Sequence, residues 1–220
     1  MDASRQHDLP RLALVAAICI GLLFGGIAIG VALGGVMPLP YGPAAAVEQY
    51  VRASPTAIQV IAVPVFASSV PLAVYAATAS AQLRHLGVAA PAATIALTGG
   101  LVAAGALGLT GLLAWTLSRP EVSGDTALVT TLYYLVFLVG GAGHIVALGL
   151  LVGGMAISGQ LSRLVARAGL AIAGLCELTT LVLVWPVLGP ILPVARVAAL
   201  AWLVVAGAQL PLRRNGIRSG

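Results

Sequence analysis

A polytopic bundle of transmembrane α-helices is the fold class this sequence predicts, and three observations carry it. The 220 residues are 60% hydrophobic and only 8% charged, whereas a soluble domain of this size is about a quarter charged. Mean hydropathy is +1.07. The apolar residues gather into six runs, most of them longer than the roughly 18 residues that suggest a membrane span, separated by short polar or proline-rich punctuation. Lipid is therefore the solvent for most of the surface, which excludes a secreted disulfide scaffold, a nucleic-acid-binding domain and a disordered chain.

The first run, about 12–36, follows a polar leader with Asp2, Arg5, His7, Asp8 and Arg11. A signal peptide has an apolar region of about 7 to 15 residues, so this longer one reads as a retained first span. Pro38, Pro40 and Pro43 then turn the chain into the longest loop. Within it, residues 44–53 have helix-forming composition, with Val47, Tyr50 and Val51 on one side and Glu48 and Arg52 on another. Two roles fit that segment equally: a short helix capping the bundle at the interface, or a solvated loop helix.

The second run, about 57–83, carries Pro64 and Pro71 with Ser68 and Ser69 between them. Each proline frees a carbonyl that lipid cannot satisfy, so this span is expected to kink and to face other helices or a hydrated cavity there. The third run is about 92–117. The fourth, about 127–157, is longer than a bilayer needs and must tilt or project. The fifth, about 168–185, ends at a cluster of Pro186, Gly189, Pro190 and Pro193 that turns the chain into the sixth, about 194–212.

The charge of +5 is carried by eleven arginines and no lysine, the bias of a GC-rich coding sequence. In a membrane protein such charges report orientation, because short cytoplasmic loops are enriched in Arg and Lys. Arg5, Arg11, Arg84, Arg163, Arg167, Arg213, Arg214 and Arg218 fall on one side of a six-span chain. Arg52, Arg119 and Arg196 fall in the loops of the other. Both termini are thus expected in the cytoplasm, in a multi-pass protein of a bacterial inner membrane.

Two ionisable residues lie near the middle of spans: His144 in the fourth, flanked by Gly140, Gly141 and Gly143, and Glu177 in the fifth. A charge at the bilayer centre costs at least about 2.5–3.5 kcal/mol, so such residues are functional candidates by default. Consecutive antiparallel helices could bring them into one midplane substrate or proton site, which the hydroxyls of Ser68 and Ser69 would join. The plainer roles are a neutral histidine bonded between helices, a protonated acid bonded to a carbonyl or to Thr180, and serines bonded to their own backbone. Gly26, Gly30 and Gly34 form a ridge at four-residue spacing, and Gly149 and Gly153 repeat it, which is how helices approach closely in lipid.

No cofactor or metal site is expected. His7 and His85 lie outside the spans, so a haem with two histidine ligands cannot be built, and there is no HExxH, GxSxG or P-loop. Cys19 and Cys176 lie in apolar runs as small hydrophobes. The partners expected are the lipid bilayer and, at the glycine ridges, a second copy or another membrane protein, with no nucleic acid.

The loop YGPAAAVEQYVRASPTA and the closing GPILPVARVAALAWLVVAGAQL hairpin and span resemble those of a group of uncharacterised, mainly actinobacterial six-span membrane proteins of unknown function. The resemblance implies the fold and an inner-membrane location, and transfers no catalytic residue. Three function classes follow from the residues. The leading one is non-enzymatic small-solute or proton-coupled transport through the midplane site. The others are a membrane sensor or assembly scaffold, and an enzyme or binder acting on a lipid-soluble molecule.

Overall fold

The computed structural model describes residues 11–210, and all the regular structure among them is helical. Helix α1 spans Arg11–Gly34, α2 Ala44–Ala53, α3 Pro55–His85 and α4 Ala90–Leu117. After the single turn α5, Pro120–Ser123, come α6, Thr126–Leu138, a π-helical turn, Val139–Gly143, and α7, His144–Ala156. Helix α8, Arg163–Leu178, runs into a 3₁₀ stretch, Thr179–Leu183. A second 3₁₀ turn, Pro186–Leu188, leads to α9, Ile191–Gln209. Six of these stretches are long and apolar enough to cross a membrane, with α6, the π turn and α7 counting as one. The polar leader and the arginines of the C-terminal tail lie outside the described residues.

The expected runs become helices with their ends shifted where polar residues join the first turn. The fifth span begins at Arg163 rather than near 168, with Ser162 at its N-cap a few residues after the turn at Gly159, whose φ is 73°. Arg163 and Arg167 therefore belong to helix and not to loop. The sixth begins at Ile191, with Pro190 and Pro193 in or beside its first turn, where a missing N–H costs nothing. Arg196, counted above with the loop charges although it falls inside the expected 194–212 run, stands in the second turn of this helix.

Helix α3 runs as one helix through both Pro64 and Pro71. It ends in a Schellman motif, in which Val88 N–H donates to Leu83 O and Gly87 N–H to Arg84 O, both at 3.1 Å, with Gly87 at φ 76°. Helix α3 packs between α1 and α4, α4 packs on α7, and α7 on α8. Helix α9 closes the arrangement against α1, α7 and α8. The fourth span is the central one, with 56% of its apolar window buried, against 22% for the fifth, which lies on the rim.

Without a hydrophobic force between helices in lipid, small residues and polar bonds hold such a bundle together. A β-carbon built on Gly26 would lie 2.6 Å from Pro64 Cβ, and one on Gly34 2.5 Å from Ala57 Cβ. On Gly30 it would overlap Ile61. The ridge on α1 is thus the surface on which α3 lies. Across the bundle, Tyr75 donates to Leu203 O at 2.7 Å, Ser80 to Ala93 O at 2.8 Å, and Trp202 Nε1 to Val165 O at 2.9 Å.

At one end α2 lies over the bundle. Val47 and Val51 are buried in a cluster with Ile58, Leu117, Val129 and Tyr133, and Arg52 Nε donates to Ser123 O at 3.1 Å. Of the two roles open to this segment, packing favours the cap. This end, shared with the 186–190 hairpin, is called the capped end below.

Candidate functional site

A cavity of about 610 Å³ enters the bundle from the capped end. Leu23, Ile27 and Val31 of α1 form one wall, so it reaches from the helix end at Gly34 down some eleven residues, or ~16 Å. Ile61 and Val65 of α3, Leu107 and Thr110 of α4, and Val136 and Phe137 of α6 form the others. At its mouth Tyr41 packs edge-on against Phe137, with ring centroids 5.4 Å apart, and against Tyr134 at 6.0 Å. The lining is almost wholly aliphatic or aromatic, and within the 300–1,000 Å³ range usual for small-molecule sites.

Arg196 breaks that apolar lining. It stands in the second turn of α9, and its Nη2 donates to the carbonyl of Gly140 in the π turn. Its Nε is buried with no hydrogen-bond partner. Among the described residues no carboxylate pairs with it; the ion pair formed there is Arg52 to Glu48, 3.7 Å, out on α2. An arginine held in a membrane-spanning helix without a counter-charge is expensive.

The π turn explains how α9 reaches this point. VGGAG offers three glycines in five residues, the cheapest sequence in which to widen a helix by one residue per turn. A β-carbon on Gly140 would lie 2.6 Å from Thr110 Cγ2, so the turn also sits directly on α4. Thr110 Oγ1 donates to Ala106 O of its own helix at 2.7 Å, leaving its acceptor side for the cavity.

His144, the first residue after the π turn, is fully buried. Its Nδ1 lies 3.0 Å from Ala103 O on α4. A carbonyl only accepts, so Nδ1 carries the proton and Nε2 is left with a lone pair, buried and without a partner. The charged side chain within electrostatic reach of the ring is Arg196. Two buried nitrogens are thus left unsatisfied, a donor on Arg196, which bonds the turn at Gly140, and an acceptor on His144, the residue that follows the turn.

Glu177 is elsewhere. It is exposed on α8, and its Oε1 would lie 3.1 Å from a β-carbon on Gly149. Gly149 is five residues beyond His144, ~7.5 Å along α7 and about 140° around it. No hydrogen bond or ion pair joins Glu177 to His144. Ser68 and Ser69 are occupied too, donating to Val65 O at 2.7 Å and Phe66 O at 2.6 Å on their own helix. Gly149 and Gly153 face α8 at Cys176 and Ala173.

Sequence reasoning missed Arg196, although one signal was present: Ala195 and Ala199 set a small-residue period that continues through it into the sixth span. No family model, curated protein or solved structure matches the chain. Function is accordingly argued from the geometry of this cavity.

Proposed function

We propose that the protein is a multi-pass protein of a bacterial inner membrane that binds a lipid-soluble molecule in the cavity at its capped end. The single observation that carries this reading is a 610 Å³ apolar cavity with one partly buried arginine in its wall, whose Nε is buried and unpartnered. A water-filled solute path would carry several polar side chains, and this lining has few. Both termini are placed in the cytoplasm, which puts the capped end outside. Supporting this, Arg11, Arg84, Arg163 and Arg167 sit at the uncapped ends of the spans, against Arg52 and Arg119 at the capped ends, and in sequence Arg5 precedes the first span while Arg213, Arg214 and Arg218 follow the last.

Transport of a small solute or proton through the same cavity is the second reading. It is favoured by the two breaks in regular helix, Val139–Gly143 and Thr179–Leu183, which touch each other within the bundle. Irregular backbone at membrane depth is tolerated where it lines a cavity or is buried in protein. A scaffold role, with a partner on the thinly covered α8, has no comparable feature.

The test is retention of hexadecanol, a neutral single-chain probe, by the delipidated protein in native mass spectrometry. One adduct that resists collisional stripping is expected, and Val136→Trp, which fills the cavity, should abolish it. Adducts that are equally abundant in the filled variant would place the probe on the outer surface and remove the binding reading.

A further inference from the structure

The unpaired arginine selects the ligand's head group. Resting on the cavity-binding reading above, we propose that the ligand is a single-chain amphiphile with an oxyanion head, a carboxylate or a phosphate monoester. The head sits against Arg196 beside the Gly140 turn, and the chain lies along Leu23, Ile27 and Val31.

Three observations converge on this. First, Arg196 spends one Nη2 donor on Gly140 O, while its Nε–H is buried and bonds nothing. A planar fork with donors to spare matches an oxyanion, which can accept two parallel bonds. Second, no carboxylate of the described chain neutralises the guanidinium. A guanidinium set in the wall of a membrane-spanning helix without a paired carboxylate is costly, and an anionic head group would offset that cost. Third, the rest of the lining is apolar along ~16 Å of α1. That length suits an alkyl chain and leaves a bulky polar head nowhere else to bond.

The experiment compares hexadecanol, hexadecanoate and hexadecyl phosphate by native mass spectrometry on the full chain and on Arg196→Gln, Arg196→Lys and Val136→Trp. Expected is retention of one or both anions at a concentration at least about tenfold below that of the alcohol, the size of one charge-assisted bond. That preference should vanish in Arg196→Gln, persist in Arg196→Lys, and all adducts should be lost in Val136→Trp. The tighter of the two anions names the head. Equal retention of alcohol and anions by the full chain would overturn the head-group assignment and leave the cavity reading standing. A preference that survives in Arg196→Gln would do the same. No retained probe of any kind, or adducts indifferent to Val136→Trp, would overturn the cavity reading itself.

Discussion

Arg196 of α9 donates to the carbonyl of Gly140 in the π turn, so the last span is tied to the central one at the point where the central one departs from α-helical geometry. The same bond fixes the guanidinium in the cavity wall. Only a glycine allows this turn to sit on Thr110 and still present its carbonyl to α9. Packing and site are therefore consequences of one short glycine-rich segment.

Replacing Arg196 should reveal a conflict between binding and stability. Arg196→Met removes one hydrogen bond from a charged donor, worth about 1.5–3 kcal/mol, and also relieves the desolvation of an unpaired cation, which is of several kcal/mol. The ligand-free variant should therefore melt in detergent at the same temperature as the parent or higher. A large fall would mean that the arginine holds the helices together and that its charge has no other use.

Gly30→Leu should destabilise the bundle more than Ala17→Leu on the same helix. A β-carbon at Gly30 already overlaps Ile61, whereas Ala17 is exposed. Forcing α1 from α3 should cost about 1–3 kcal/mol, the usual range for overpacking. Thermal melting in one detergent decides it, and equal losses would show that the ridge does not set the approach of the two helices.

Much of the fold was legible because lipid imposes length. Apolar runs of the required size could only be spans, and Thr126–Ala156 differs from its expected bounds by one residue at each end. The faces were not legible. In lipid both the buried and the exposed sides of a helix are apolar, so periodicity does not report which way Glu177 points. Residue counting gave its depth but not its azimuth, and the structure leaves it exposed on α8. Arg196 was hidden by the opposite bias, since a charge after a proline cluster looks like loop. The three glycines before His144 were visible, and their effect, a π turn, requires the neighbouring helices that no local pattern contains.

Topology gives an independent check. Reporter fusions after Arg84 and after Gly220 should read cytoplasmic, and one after Ser123 external. Moving Arg196 from loop to helix strengthens the asymmetry, because Arg52 and Arg119 are then the arginines at the capped ends of the spans. An external reading at Gly220 would mean either an inverted six-span bundle or an odd number of crossings, and the inverted bundle would turn the cavity inward.

Two double-mutant cycles separate the groups that act together from those that only share a depth. Arg196 bonds the π turn at Gly140 and His144 is the residue that follows it, each with one buried, unpartnered nitrogen. Neighbouring polar groups of this kind couple by about 0.5–3 kcal/mol. His144→Gln and Arg196→Met should accordingly be non-additive in detergent melting, because each changes the polar groups that the other meets. His144 and Glu177 have no bond between them, and the carboxyl lies against Gly149 on a different face of α7. His144→Gln and Glu177→Gln should add to within roughly 0.3–0.5 kcal/mol, the limit for independent sites. Additivity in the first cycle would detach His144 from the cavity. Strong coupling in the second would mean that α8 turns Glu177 inward, and would restore a shared proton site between the fourth and fifth spans.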